Sequence, residues 1–509
     1  MIITLLGMVS LSLAGLGDVV DCLDEADISC ARTALEPLNP DQSTDADVVL
    51  YAARTEFFDG NYEKAHKYLV RALELGAPDP YDDLGLYERT KVVTEGYALV
   101  SRDGYQMRYR AGLDAILVDD AIGAMEKSAK NIAPLMGGPP PGTILLEVFP
   151  HARAFTEASS LTEKNVRTTG VVALSKWSRL LMVSPRSLSG GHDWEDTIAH
   201  EYVHLVVSHH TRDRAPVWLQ EAIAKYLDNR WRDGTDGFRL DPYSEGLLAD
   251  AVKTGKLVTF EQMHPSLAKL PSAEMAGLAY AQLATLMAFS FDKGGESILT
   301  RVLPRVKNGE DPRIVLASEA GFQSLEALLD AWMDWIRNRG LQQRDIQSRP
   351  IAFETDDAVA GDPVMGSRRD LANFMRLGDL LQERGHHEAS LIEYAKATAA
   401  DGKGSPLLST RIAVAQLALK DRQGALATTE ESLLSYPDFA ETHRVRGQIL
   451  RALGRPKEAA DAYRESVGIY PFNEECQKAL SELYAELGNS NLASRHRRYL
   501  SILRRGGEG

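Results

Sequence analysis

Cysteine is scarce, net positive charge is absent, and no apolar run is long enough to cross a bilayer. Three cysteines in 509 residues exclude a disulfide framework. Cys22 and Cys30 could still pair, but along one straight helix their α-carbons would lie about 12 Å apart, against the roughly 7 Å limit of a disulfide. A bridge therefore requires two short helices with a turn near Asp27, and two reduced, buried thiols are the alternative. Cys476 falls in a helical repeat and reads as core. The formal net charge of −15, from 57 Lys and Arg against 72 Asp and Glu, repels phosphate backbones and excludes nucleic acid as a partner. No Lys or Arg precedes Arg32. The N-terminal run MIITLLGMVSLSLAGLG thus lacks the basic flank of a secretory signal, although its apolar core and the small-residue site Ser12-Leu13-Ala14 fit one. At about 16 residues it is shorter than the roughly 20 a spanning helix needs. Residues 1–14 therefore read as a signal peptide and the protein as exported, whether periplasmic, secreted or envelope-associated. A misassigned start or an uncleaved anchor is the alternative. Gly277 to Phe291 is the next most apolar stretch and reads as a buried helix, so no integral membrane span is expected.

What the chain does have is room and repetition. Apolar residues make up 44% and charged residues 25%, the balance of a globular protein long enough for two to four domains. Near the C-terminus, Tyr436-Pro437 and Tyr470-Pro471 recur 34 residues apart, and small residues fall in step at Gly378, Ala413, Gly447 and Ser481. The clearest unit carries Gly447, Gly454, Ala459, Tyr463, Ser466 and Pro471. It resembles the tetratricopeptide repeat, in which small residues let two antiparallel helices approach and an aromatic fills the gap between them. About four units fit, with Thr429 and Arg497 standing where an aromatic is expected. Ala53, Gly60, Ala65, Leu69 and Ala72 reproduce the internal spacing near the N-terminus. The expected organisation is a signal peptide (1–14), an N-terminal helical repeat-like domain (15–102), a central domain (103–342), a linker (343–366) and a C-terminal repeat domain (367–509).

In the central region, short β-branched runs precede long helical patterns. Residues 144–148 and 179–183 read as strands, with 171–174 as a third, and from Trp194 onward the pattern is helical. A small sheet followed by helices is an α+β domain. Its first long helix carries His200-Glu201-Tyr-Val-His204. Asp193 is placed as N-cap with Asp196 three residues on, and Trp194, Ile198, Tyr202 and Leu205 form an apolar stripe. Positions i and i+4 share a helix face, so both imidazoles can reach one ion while Glu201 stands beside it. The segment Pro216-Val-Trp-Leu-Gln-Glu221-Ala-Ile-Ala-Lys-Tyr226 follows, with Pro216 suited to a helix start. If that helix folds back, Glu221 completes a two-histidine, one-carboxylate set with a fourth position open, as catalytic zinc requires. His210 is the rival third ligand, but it needs a helix break at position 207, where Val207 stands; if the helix continues, His210 faces away. His209 and His210 then read as solvated residues at the helix end.

These residues resemble the gluzincin zinc metallopeptidases of the MA-like clan, in which HExxH is followed by a Trp-Leu-x-Glu-Gly-x-Ala-x-Tyr segment. The likeness covers about 103–340 and departs from the family at Ala222, where Gly is usual. It implies one zinc ion held by His200, His204 and Glu221, with Glu201 as general base and acid in peptide hydrolysis. It also implies an oxyanion-stabilising Tyr or His downstream, for which Tyr280 is the candidate, a core tyrosine being the alternative. Substrate taken up by an edge strand, here 179–183, and a carboxylate behind a histidine, here Asp228, are further expectations. The repeats imply a peptide or protein partner. A non-catalytic repeat scaffold with a peptidase-like domain is the competing reading.

Overall fold

The structure, a computed structural model, describes residues 15–80, 82–232, 238–264, 266–343, 353, 369–401 and 405–506. The expected signal peptide lies outside them, as does the expected linker apart from Gln343 and Phe353. Phe353 is buried and forms an antiparallel bridge with Leu188.

The chain begins with two short helices, 15–24 and Ile28–Leu35, joined by a turn. Asp27 caps the second by accepting the Cys30 N–H at 2.9 Å, and Cys22 and Cys30 are disulfide-bonded with α-carbons 5.5 Å apart. Of the two alternatives, the bridge is the one formed, through the turn it requires. Helices Ala46–Phe58 and Tyr62–Glu74 then pair. Ala53, Ala65, Leu69 and Ala72, the positions with repeat-like spacing, are all buried between them or against their neighbours.

Among the described residues, five strands make one mixed sheet in the order β1-β2-β3-β5-β4: β1 (Ala98–Arg102), β2 (Tyr105–Tyr109), β3 (Ile144–Phe149), β4 (Ala173–Lys176) and β5 (Arg179–Val183). β3 runs parallel to both β2 and β5, and β1 and β4 are antiparallel edges. β3 and β5 are buried at every position, which is why they are apolar except at Glu147 and Arg179. The β1–β2 hairpin was not among the expected strands, and it straddles the boundary expected between residues 102 and 103. Its signal is present in Asp103-Gly104, whose φ values of 42° and 88° form the two-residue turn that this dipeptide favours. The expected substrate strand 179–183 is corrected: β5 is hydrogen-bonded on both sides, and the edge is β4, two residues later than the expected third strand.

Glu147, fully buried on β3, is the charged centre of the contact between the N-terminal helices and the sheet. Arg108 donates to it at 2.8 Å, Arg179 lies 3.2 Å away, and the Tyr62 hydroxyl donates from the N-terminal side. A buried carboxylate persists only when paired and hydrogen-bonded in this way.

The expected buried helix appears as Ala273–Gly294, and no described helix is long and apolar enough to cross a membrane. Four helix pairs follow 369, ending with Glu474–Glu486 and Ser490–Gly506. Gly447 lies where a Cβ would come within 2.8 Å of the Tyr463 ring, the close approach that the repeat pattern requires. Thr429 is buried where an aromatic was expected, whereas Arg497 is exposed and buried His496 stacks on Tyr484 instead. Cys476 is fully buried, and its thiol is pushed up to about 12 by that burial. In the last helix Tyr499 and Leu503 enter the central domain's core, and Arg495 and Arg498 pair with Asp120 and Asp119.

Candidate metal centre

The helix carrying the HExxH motif spans Trp194–Thr211. Leu146, Val148, Leu180 and Met182 of the sheet share one core with its Ile198, Tyr202 and Val206. Asp193 occupies the N-cap position, but its side chain makes no capping bond, which corrects the expectation drawn from its residue type. Asp196 instead accepts from Trp231 Nε1 at 2.6 Å and pairs with Arg232. The return helix, Val217–Leu227, starts after Pro216 and brings Glu221 to the motif.

His200 Nε2 and His204 Nε2 are 3.2 Å apart, and Glu221 Oε2 lies 3.4 Å from the first and 3.7 Å from the second. Two ligands about 2.1 Å from a tetrahedral zinc are separated by about 3.4 Å, so these spacings match the edges of such a site. The three atoms lie on a circle of radius about 2.0 Å, and a point about 2.1 Å from each falls just off their plane. Two imidazole lone pairs and a carboxylate converging on one point repel each other unless a proton or cation stands between them. The donor set therefore fits zinc by spacing and by chemistry. The three side chains are 19%, 13% and 18% exposed, enough for a small molecule to reach an ion held there.

Glu201 belongs to the same group: one ligand atom each from His200, Glu201 and His204 lie within 4.8 Å of one another. Burial, with a smaller push from Glu221, raises the Glu201 carboxyl to about 7, opposed by His204 and the backbone N–H of Ser175 on β4. Burial also pushes Glu221 up, but His204, His200 and Lys225 outweigh it and hold the carboxyl below its usual value. Tyr280, on the helix Ala273–Gly294, has its hydroxyl held protonated first by the Glu221 carboxylate, then by burial and Glu201. That places it within electrostatic reach of both acids. Asp228 Oδ2 is 4.0 Å from His200 Nδ1 and 2.9 Å from Lys225 Nζ. Lys225 and the Ser175 amide were not anticipated. The lysine sits one helical turn beyond Glu221, a spacing signal; Ser175 reaches the site only through sheet pairing.

His210 is turned away from this group, with Nε2 2.9 Å from the Gly138 carbonyl oxygen. Val207 is buried and the helix runs on past it. The two terminal histidines are not simply solvated, since His209 Nδ1 is hydrogen-bonded to the Glu25 carbonyl.

Residues 143–338 match the Peptidase MA superfamily, and residues 443–473 match the tetratricopeptide repeat. The chain thus carries a Peptidase MA superfamily domain and a tetratricopeptide repeat. No curated protein matches it. Similar solved structures include the crystal structure of MamA, 15% identical over 28% of this chain and 82% of that one, with a TM-score of 0.24. Another, MamA 41-end from Desulfovibrio magneticus RS-1, is 16% identical over 29% and 83%, at 0.25. The first tetratricopeptide repeat domain of Spaghetti (RPAP3), bound to an HSP90 peptide, is 21% identical over 24% and 96%, at 0.23.

Proposed function

We propose that the chain is a zinc-dependent peptidase, a reading carried by the three atoms of His200, His204 and Glu221 spaced 3.2, 3.4 and 3.7 Å apart around one point. Bound there, zinc supplies a Lewis acid strong enough to bring the ionisation of water near neutral pH and to polarise a carbonyl. Glu201 takes the proton of the attacking water and returns it to the leaving amine. The Tyr280 hydroxyl donates to the developing oxyanion. Asp228 orients the His200 ring, with Lys225 holding the carboxylate. β4, an edge strand whose Ser175 amide faces Glu201, takes the substrate backbone by strand addition. The repeats hold a protein substrate or partner. Export is supported by the Cys22–Cys30 disulfide, a bond that persists in oxidising compartments.

Metal analysis of the purified protein, with peptide hydrolysis measured for wild type and Glu201→Gln, tests this reading. We expect about one zinc per chain in both and turnover only in wild type. Equal hydrolysis by the two would exclude it. The scaffold reading, favoured by four helix pairs after residue 369, requires that neither protein cuts.

A further inference from the structure

The disulfide-closed turn at residues 22–30 is seated on the end of the motif helix, far away in sequence. Between the cysteines, the Glu25 carboxylate accepts from Arg212 Nε at 2.8 Å, Arg212 Nη2 at 2.6 Å and Lys307 Nζ at 2.9 Å. Its backbone carbonyl bonds the His209 ring, and Asp21 adds a longer contact to Arg212 at 3.5 Å. Arg212 is the C-cap of the motif helix, in the left-handed region at φ 52°, and Lys307 ends the neighbouring helix Ile298–Lys307. Lys307 first, then Arg212, hold the Glu25 carboxyl below its usual value, so the charges are complementary across the contact. Yet Glu25, Arg212 and Lys307 are each about a third exposed, at 30%, 31% and 34%. Ion pairs that open to water are individually weak. The turn that concentrates four interactions on one residue is closed by the cross-link and by the backbone bonds Glu25 N–H to Asp21, Ala26 N–H to Leu23 and Asp27 N–H to Cys22. Cys30 is exposed whereas Cys22 is 6% exposed, so Cys30 is the end of the pair open to an incoming thiol.

We propose that Cys22–Cys30 is a reducible modification site that controls how firmly the C-terminal end of the motif helix is held. A small dithiol is the reductant. Its thiolate bonds to Cys30 Sγ, and the Cys22–Cys30 bond breaks with its electron pair left on Cys22, which takes up a proton. The reagent's second thiolate then attacks its own mixed sulfur, releasing Cys30 as a thiolate that is protonated in turn. The products are two cysteine thiols and a cyclic oxidised reagent. Freed of the cross-link, the turn no longer presents Glu25 to Arg212, Lys307 and His209 at once, and the last turn of the helix frays.

Hydrogen exchange on the full-length protein, oxidised and after dithiothreitol treatment, tests this without metal or turnover, so its outcome is separable from that of the peptidase reading. We expect exchange in peptides covering 205–214 to rise by about tenfold on reduction, while peptides covering 444–469 stay unchanged. Glu25→Gln with the disulfide intact should show most of that rise, and reducing it should add little. Cys22→Ser/Cys30→Ser should match the reduced wild type. Unchanged exchange at 205–214, no effect of Glu25→Gln, or acceleration spread evenly over the chain would each overturn the proposal.

Discussion

The two ends of the motif helix are gripped by opposite ends of the chain, and by different physics. At its start, the His192 N–H donates to the Ile469 carbonyl at 3.1 Å, and the same carbonyl presses against Gly191 so closely that a Cβ there would collide with it. Gly191 also has φ +69°, a conformation that only glycine adopts without strain. At its finish, the grip is Glu25 on Arg212 and Lys307, made by side chains that water can reach. A main-chain contact without side-chain room is nearly insensitive to salt and fixed in geometry. A cluster of exposed charges is adjustable, and here a covalent bond does the positioning. Between the two grips lie His200 and His204, so each end of the chain bears on the same helix.

Removing the foundation of the N-terminal grip should cost most. Glu147→Gln leaves Arg179 and Arg108 without their counter-charge inside the contact that seats the N-terminal helices, and we expect a loss of roughly 3–5 kcal/mol by urea denaturation. Gly191→Val attacks the other grip through both strain and overlap with Ile469. We expect it to cost about 3 kcal/mol and to expose buried Trp194 to solvent, read as a fluorescence shift.

Acid should remove the stability that two buried histidines on the repeat side contribute while neutral. Burial holds His192 and His496 neutral down to about 4. Their folded values lie below the unfolded value near 6.5, so the contribution of these two histidines is fully present above about pH 6.5 and is lost as pH falls towards 4, while Asp193 and Glu195, raised by burial to about 7 and about 8, act in the opposite direction. We expect a loss on the order of 2 kcal/mol per histidine, and His496→Gln should remove part of the pH dependence. The smallest effect should come from Glu25→Gln, under about 1 kcal/mol in equilibrium stability. That cost should vanish near 1 M salt, where screening reaches about 3 Å, whereas the cost of Gly191→Val should persist.

Much of this was written in local spacing. The i, i+4 placement of His200 and His204 follows from helix geometry, the buried runs 144–148 and 179–183 from their composition, and the helix pairing from the small residues at Gly378, Ala413, Gly447 and Ser481. The β1–β2 hairpin has signals of its own in Asp103-Gly104 and in Tyr105, Met107 and Tyr109 alternating with Gln106 and Arg108, an apolar face that packs into the core. Which strand forms the edge was not legible: Arg179 reads as an edge residue, but its charge is absorbed by Glu147, 32 positions earlier, and by the Phe57 carbonyl. The unused cap at Asp193 and the engaged rings of His209 and His210 share that cause. Glu25 and Gly138 hold the two rings, and Ile469 holds the backbone at His192, just before Asp193, partners that no local pattern connects to them.

The most direct test is zinc-edge X-ray absorption on the purified chain beside Glu221→Ala. We expect a first shell of nitrogen and oxygen only, at about 2.0–2.1 Å and with the outer scattering of two imidazoles, and at least a tenfold drop in zinc occupancy in the variant. Absence of zinc, sulfur in the first shell, or a spectrum and occupancy untouched by Glu221→Ala would contradict it.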